Sequence, residues 1–249
     1  MSAPLRVGVI GLGARCVIAE NCHKATIPAE LVGGCDPNPA MRQRATEVLG
    51  DYPWFETLDE LLELGIDCAI VTSPDDTHED ITCALLEAGV AVYLEKPIAI
   101  TIEGSDRVLE TAYRTKTPLY VGHNMRHMAV VRILRQVVQD GLIGEVRAIW
   151  CRHFVGNGGD YYFKDWHADR SRTTGLLLQK AAHDIDVMNW LSDSVPERVV
   201  GMGDLMLYGK LSDRGGQKSD AVMSDWFSFD NWPPASLTGL NPVIDVEDV

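Results

Sequence analysis

Residues 7–13 read V-G-V-I-G-L-G, a short apolar run that leads directly into two glycines. A continuous apolar run of this kind is typical of a strand buried on both faces of a parallel sheet. Gly11 permits a tight turn, and Gly13 leaves the backbone open to a close approach by phosphate groups. The helix expected to begin at Ala14 and Arg15 directs unpaired N–H groups and its positive dipole end at the same place. The stretch therefore predicts a strand–turn–helix unit that binds phosphate.

Asp36 supports the interpretation of that turn as a dinucleotide site. It ends the second predicted strand about 20 residues further on, where an acidic side chain accepts hydrogen bonds from ribose hydroxyls. A carboxylate there repels a 2′-phosphate, so NAD is favoured as the cofactor, while Arg42 keeps NADP as an alternative. Cys16 stands at the third fingerprint position, where glycine or alanine is usual, and weakens the match. The plainer interpretation of Asp36 is a turn residue before Pro37.

Predicted strands and helices alternate through the first 122 residues. Strands are predicted at 5–10, 30–36, 67–72, 90–94 and 119–121, and helices at 14–24, 39–49, 57–64, 77–88 and 103–113. Apolar strands that alternate with helices indicate a parallel sheet covered on both faces. We therefore expect an α/β chain whose residues 1–122 form a Rossmann domain with a doubly wound parallel sheet.

The pattern changes after residue 122. Helices are predicted at 130–140 and 175–191, and long strands at 145–155 and 197–208. Long strands around one longer helix predict an α+β domain with a mostly antiparallel sheet over residues 123–249. The chain closes on a strand-like run, so we expect this second sheet to be incomplete.

Composition and charge exclude several classes of protein. The net charge of −14 over 249 residues argues against a nucleic-acid partner, because phosphate binding needs a basic stripe. The first residues lack the long apolar stretch of a signal peptide or a membrane-spanning helix. The six cysteines show no metal-type spacing and fit a reducing compartment better than a disulfide framework. We expect a cytoplasmic protein with no metal site and no membrane partner.

Four further motifs move the interpretation from a fold to a family. Residues 73–78 read S-P-D-D-T-H, residues 95–97 read E-K-P, residues 141–146 read G-L-I-G-E-V and residues 183–186 read H-D-I-D. With the glycine turn, these strongly resemble the glucose–fructose oxidoreductase/inositol dehydrogenase family, often called Gfo/Idh/MocA. The resemblance covers almost the whole chain. Members are usually longer, so the chain is expected to be a short member, a fragment, or one whose later residues are absent from its record.

The resemblance implies an NAD(P)-dependent dehydrogenase or reductase that acts on the CH–OH group of a sugar, cyclitol or related polyol. Lys96 would polarise the substrate oxygen and stabilise a developing alkoxide. His183 would accept the hydroxyl proton, since imidazole titrates near the working pH. Gln179 stands where the family often carries an acidic residue and cannot act as a base. Either Lys180 therefore works with Lys96 and His183, or redox activity is reduced.

Other residues are predicted to surround the cofactor and the substrate. An open α/β sheet binds ligands at the carboxyl ends of its parallel strands. By analogy with the family, Pro97 is expected to follow a cis peptide bond. The predicted cofactor contacts are Gly11, Gly13, Ala14, Arg15, Asp36, Ser73, Pro74, His78, Glu95, Lys96 and Asn124. The predicted substrate contacts are Lys96, Arg126, Tyr161, Trp166, His167, Gln179 and His183.

For several of these residues a purely structural role stays open beside the functional one. The aromatic loop with Tyr161, Trp166 and His167 suits stacking on a sugar face, but it equally suits packing under a neighbouring element or a partner subunit. A salt bridge at a domain hinge explains Arg126 as well as a substrate contact does. Two other functions also stay open: a non-catalytic dinucleotide-binding sensor or assembly protein, and a lyase or glycosidase that uses tightly bound NAD. The resemblance further implies a homo-oligomer, either a dimer or a tetramer.

Overall fold

The computed structural model describes residues 3–24, 26–154 and 165–203. The chain forms two compact units, and each is described by itself. The first comprises Met1–His123 together with Arg170–Ala182, and the second comprises Asn124–Asp169 together with His183–Val249. Residues 170–182 thus belong with the first unit, a grouping that the sequence pattern did not indicate. The division into domains after residue 122 stays a prediction.

A six-stranded parallel sheet forms the centre of the first unit. Its strands are β1 (Leu5–Ile10), β2 (Ala29–Cys35), β3 (Trp54–Phe55), β4 (Cys68–Val71), β5 (Ala91–Glu95) and β6 (Leu119–Gly122). They lie in the order β3-β2-β1-β4-β5-β6, so the winding reverses between β1 and β4. This order is that of the dinucleotide-binding folds, in which ligands bind at the carboxyl ends of the strands near the reversal. The predicted Rossmann sheet is confirmed, and only the two-residue β3 was missed.

Capping side chains mark the start of several helices of the first unit. They are a 3₁₀ helix (Ala14–Lys24), α1 (Pro39–Leu49), α2 (Leu58–Glu63), α3 (His78–Glu87) and α4 (Ile102–Thr115). Asn38 accepts a hydrogen bond from Ala40 N at 2.9 Å and caps α1, which has a proline in its first turn. Thr57 and Glu60 form a capping box at the start of α2. These caps fix the residues at which the loops before α1 and α2 end.

Two apolar clusters pack against the sheet. Ile10 belongs to a cluster with residues of α2 and α3, among them Leu61 and Leu85, which are fully buried. The neighbouring Val9 belongs to a second cluster. Successive residues of a strand point to opposite faces, so the two clusters cover the two sides of β1. Cys16 is fully buried in the second cluster, where it packs the helix that follows the glycine turn.

Four α-helices follow β6 in the described residues. The first unit also contains α6 (Arg170–Thr173) and α7 (Leu176–Gln179), and the second contains α5 (Ala129–Gln139) and most of α8 (Ala181–Ser192). The helix predicted at 175–191 is thus two helices, which meet at Lys180 with φ −110° and ψ −52°.

The predicted antiparallel sheet of the second unit is not formed by the described residues. Residues 145–154 and 197–203 form no strand there, although long strands were predicted over 145–155 and 197–208. A strand requires a neighbour with which its backbone exchanges hydrogen bonds, which an apolar pattern alone does not supply. Side chains such as Trp150 and Phe154 are 84% and 87% exposed. Residues 155 and 204–208 lie outside the described residues, so the sheet itself stays a prediction.

Candidate functional site

The two glycines of the first turn are required for different reasons. Gly11 has φ +84°, and a Cβ atom there would lie 2.4 Å from Ser73 N, so packing against the loop after β4 excludes any side chain. A Cβ atom at Gly13 would meet no atom of the described residues within 4 Å. Packing therefore does not explain Gly13, whereas a bare backbone that admits phosphate groups does. Thr72 Oγ1 donates to Gly11 O at 2.7 Å and ties the turn to the next strand.

Arg44 of α1 hydrogen-bonds the backbone of the same turn. Its Nη1 atom donates to Gly13 O at 2.8 Å and lies 3.5 Å from Cys16 Sγ. Burial raises the pKa of the Cys16 thiol, an effect that the Arg44 charge opposes. No motif marks Arg44, and the only signal in the sequence is a basic residue on the helix that follows Asp36.

Asp36 lies at the carboxyl end of β2 with its carboxylate held in place. Its Oδ2 atom accepts from Leu12 N and its Oδ1 atom accepts from Asn38 N, each at 2.8 Å. The turn contact of the plainer interpretation is therefore present. A carboxylate has about four acceptor sites, so each oxygen keeps one for a ribose hydroxyl. Arg42 donates to Asp36 O at 2.6 Å and lies 3.9 Å from the Glu56 carboxylate. The guanidinium that could bind a 2′-phosphate is therefore already engaged by these two groups.

A dinucleotide fits the residues at this edge of the sheet. Gly13 presents bare backbone, and Asp36 presents acceptors at the end of the neighbouring strand. Ala14 is exposed and Arg15 partly buried at the start of the 3₁₀ helix. These are the elements that a pyrophosphate and an adenosine ribose require.

The loop after β4 is fastened to the loop after β5 by His78. The His78 side chain is 1% exposed, and its Nδ1 and Nε2 atoms lie 2.7 Å from Pro97 O and 2.9 Å from Ser73 O. Thr77 Oγ1 donates to Ser73 Oγ at 2.7 Å and to Pro74 O at 2.7 Å. Both ring nitrogens of His78 are thus taken up by backbone carbonyls. Ser73 and Pro74, by contrast, are partly exposed at the edge where a ligand would bind.

Glu95 and Lys96 lie at the carboxyl end of β5, and the Lys96–Pro97 bond is cis, as expected. Glu95 is buried and forms an ion pair with Arg15 at 3.0 Å, which links β5 to the helix after the glycine turn. Lys96 Nζ donates to Gln179 O at 2.5 Å. Partial burial lowers the pKa of Lys96, an effect that nearby carboxylates oppose. Lys96 is therefore a partly buried basic side chain, held by Gln179 O, at the edge of the sheet where ligands bind in this fold.

Residues 170–182 reach this edge through contacts that the sequence did not reveal. Arg172 Nε lies 3.2 Å from both carboxylate oxygens of Asp76, in the loop after β4. Gln179 is 3% exposed and supplies the backbone carbonyl that binds Lys96. Lys180, which follows it, is partly buried and its charge acts on Lys96. The buried Asp75 of the same loop was also missed, because no spacing rule connects it with Lys96.

The second unit contains the remaining predicted residues. His183 is buried on α8, and Asn124 begins the 3₁₀ segment Asn124–His127. Arg126 makes a two-pronged ion pair with Asp186, at 2.7 and 2.5 Å, and lies over the Trp190 ring. Arg126 is thus held by α8, as in the salt-bridge interpretation, and its role in substrate binding stays a prediction.

The aromatic loop is described only in part. Trp166 and His167 lie in the 3₁₀ segment Asp165–Ala168, and their rings stack on each other with centroids 3.8 Å apart. Tyr161 lies outside the described residues. A contact that no motif indicated joins His153 Nδ1 to the Asp184 carboxylate at 2.9 Å.

The first unit thus brings together the two glycines, Asp36, the loop after β4, and Lys96 with Gln179. His183 belongs to the second unit, so its pairing with Lys96 and Lys180 stays a prediction. Within the described residues, no three histidine, cysteine, aspartate or glutamate side chains cluster as a metal site would require. In the same part of the chain, no helix is long and apolar enough to span a membrane.

Comparison with known families supports the motif-based resemblance. Residues 5–123 match the family described as an oxidoreductase family with an NAD-binding Rossmann fold, GFO_IDH_MocA. Residues 131–228 match the GFO/IDH/MocA C-terminal domain. These matches confirm the resemblance and the predicted NAD-binding Rossmann fold.

Individual relatives resemble the chain along most of its length. The inositol 2-dehydrogenase of Rhizobium meliloti (strain 1021) is 27% identical over 223 residues, which cover 88% of this chain and 64% of that enzyme. The inositol 2-dehydrogenase of Serratia proteamaculans (strain 568) is 30% identical over 197 residues, 76% of this chain and 55% of that enzyme. The scyllo-inositol dehydrogenase from Lactobacillus casei, solved with NAD(H) and scyllo-inositol, superposes with a TM-score of 0.65 and 26% identity, over 76% of this chain and 56% of that one. The chain spans less than two thirds of the length of each of these three proteins.

Proposed function

The chain belongs to the GFO/IDH/MocA oxidoreductase family, and from this membership we propose that it transfers a hydride between NAD and a sugar, cyclitol or related polyol. The observation that carries the proposal is the position of Lys96. This partly buried basic residue lies at the carboxyl end of β5, at the same edge of the sheet as the glycine turn and Asp36. A relative that binds NAD(H) together with scyllo-inositol supports the cyclitol class of substrate.

In this proposal the first unit holds the cofactor. The bare backbone of Gly13 and the first N–H groups of the 3₁₀ helix receive the pyrophosphate, and Asp36 accepts the ribose hydroxyls. NAD bound there supplies the hydride acceptor. Because Asp36 is a carboxylate and Arg42 is engaged with Asp36 O, NAD is favoured over NADP.

Lys96 and His183 divide the work on the substrate hydroxyl. The Lys96 ammonium donates hydrogen bonds to the reacting oxygen and stabilises negative charge as the proton leaves. His183 receives that proton, and Lys180 adds positive charge beside Lys96. Gln179 orients Lys96 through its backbone carbonyl. Its amide side chain cannot act as a base, and in this proposal His183 takes that role.

An absorbance assay of reduced nicotinamide tests the proposal. The protein is incubated with NAD or NADP and a panel of inositols and sugars, and Lys96→Met is compared with Lys116→Met. Lys116 is exposed and precedes β6, at the opposite edge of the sheet, so it serves as the matched control. We expect turnover with NAD that Lys96→Met lowers at least about 100-fold, a loss typical of removing one electrostatic stabiliser, and that Lys116→Met leaves unchanged. Equal losses in both variants would contradict the role of Lys96.

A non-catalytic dinucleotide-binding protein is the second candidate. The amide at Gln179 favours it, since the buried side chain beside Lys96 carries no charge there. NAD binding by calorimetry without turnover on any substrate would support this candidate. Cofactor that stays bound through purification, with turnover but no net NADH, would indicate a lyase or glycosidase instead.

The proposal extends to compartment and assembly. All six cysteines are free, which fits a reducing cytoplasm. Exposed apolar side chains of the second unit, such as Trp150 and Phe154, favour a homo-oligomer in which they are covered. Light scattering at two protein concentrations measures that state.

A further inference from the structure

A buried carboxyl that none of the roles above uses is linked to Lys96 through Gln179, whose carbonyl accepts from Lys96 and whose side chain hydrogen-bonds the carboxyl. Asp75 begins the short 3₁₀ turn Asp75–Thr77 after β4 and is 7% exposed. Its Oδ2 atom has no hydrogen-bond partner among the described residues. A carboxylate buried this deeply is costly unless neighbouring charges and donors stabilise it, so its surroundings decide what it does.

Positive charge favours the ionised form of Asp75. His78 lies with both ring nitrogens against carbonyl oxygens, those of Pro97 and Ser73. Burial raises the pKa of Asp75, while the charges of His78 and Lys96 and a hydrogen bond from the Gln179 side chain oppose that rise.

The negative charge of Asp75 acts on Lys96. Partial burial lowers the pKa of Lys96, and Asp75 opposes that effect more than Glu95 does, while Lys180 and Arg15 lower the pKa further. Within the described residues Lys96 forms no direct ion pair with a carboxylate, so Asp75 acts through space. The balance of these four charges against burial decides whether Lys96 keeps its proton.

We propose that Asp75 is a positioning residue for the hydride transfer: its buried carboxylate, joined to Lys96 through Gln179, holds the ammonium in place and supplies the negative charge that the neutral amide of Gln179 lacks. The inference rests on the proposed function of Lys96. An ammonium has three N–H donors, and Gln179 O takes one of them, which leaves two for a substrate oxygen. Without the negative charge of Asp75, Lys96 loses its proton at a lower pH and the reaction loses its electrostatic stabiliser.

Asp75→Asn tests this role because the amide preserves the size of the side chain and removes its charge. The matched control is Asp80→Asn, whose 82% exposed side chain pairs with Arg107 on the surface. Lysine side chains are labelled with ¹³C and titrated by NMR, and the Lys96 signal is assigned by its absence in Lys96→Arg. We expect the Lys96 midpoint to fall to lower pH in Asp75→Asn and to stay unchanged in Asp80→Asn.

The pH profile of kcat/KM supplies the second measurement. Because the protonated form of Lys96 is the active one, the alkaline limb of the profile moves to lower pH in Asp75→Asn. Each unit of that displacement costs about tenfold in activity at a fixed pH on the limb. A purely structural role would lower activity equally at all pH values.

A folded Asp75→Asn chain with an unchanged Lys96 midpoint overturns the inference. Asp75→Ser serves as the second uncharged variant if the amide does not fit, and thermal unfolding verifies that either variant is folded. The NMR titration requires no turnover. A shifted midpoint in a chain that turns over no substrate would therefore sustain the coupling and contradict the proposed function instead.

Discussion

At the scale of single residues, Asp36 is the proposed determinant of the choice between NAD and NADP. Its two oxygens hold Leu12 N and Asn38 N, so the carboxylate cannot rotate away from a ligand. A fixed carboxylate accepts ribose hydroxyls and repels a 2′-phosphate through the same atoms. In this proposal, selectivity depends on one side chain and on the two backbone amides that orient it.

Replacing Asp36 by Asn should narrow the gap between the two cofactors. The variant loses the repulsion of the 2′-phosphate and one acceptor for the ribose, so we expect weaker NAD binding and relatively stronger NADP binding. Hydrogen bonds to charged groups contribute about 1.5–3 kcal/mol, so NAD affinity should fall about tenfold or more. Calorimetric titration with both cofactors gives the ratio.

Asp51→Asn is the control for the change in net charge, since Asp51 is exposed and lies before β3, away from the ligand-binding edge. Loss of stability in Asp36→Asn affects both cofactors alike and cancels in the ratio of their affinities. An unchanged ratio would show that another group selects the cofactor.

At the scale of elements, the glycine turn separates a structural requirement from a binding requirement. Gly11 meets the backbone of Ser73 and has a positive φ, whereas Gly13 faces no atom of the described residues within 4 Å. A methyl group at the first position must displace the loop after β4. At the second position it occupies only the space where phosphate is proposed to bind.

The two alanine variants should therefore fail in different ways. We expect Gly11→Ala to lower the free energy of unfolding by about 1–3 kcal/mol, since it combines strain with overpacking. We expect Gly13→Ala to unfold near the wild-type temperature but to bind NAD at least about tenfold more weakly, a loss of about 1.4 kcal/mol. Thermal unfolding and calorimetry on both variants give the comparison. Wild-type NAD affinity in Gly13→Ala would contradict the assignment of the phosphate site.

Elements were predictable where their signals are local. The apolar runs, the capping box of Thr57 and the proline of α1 lie within a few residues of what they determine, and the structure confirms them. The break at Lys180 and the missing strands at 145–154 depend on packing partners elsewhere in the chain, so the periodic pattern did not show them.

The site itself was predictable only where a motif names its residues. Gly11, Asp36 and Lys96 follow from spacing and resemblance. The contact of Lys96 with Gln179 joins residues 83 positions apart, and that of Arg172 with Asp76 joins residues 96 apart. Such pairs are brought together by the winding of the sheet and by residues 170–182, which no local pattern assigns to the first unit.

At the scale of the whole molecule, the chain couples a complete six-stranded Rossmann sheet to a second unit that matches the family's C-terminal domain. The first unit supplies the proposed cofactor site and Lys96. The second supplies His183, whose imidazole is proposed to accept the proton. The proposed reaction therefore requires both units, whereas NAD binding requires mainly the first.

The most direct test of the account is deuterium transfer from an inositol labelled on its CH–OH carbons to NAD. The protein is incubated with NAD and the labelled cyclitol, and the reduced cofactor is analysed by mass spectrometry. The account predicts one deuterium in the reduced nicotinamide with the wild-type chain and none above background with Lys96→Met. Unlabelled cofactor from a chain that binds both NAD and the cyclitol would contradict hydride transfer as its function.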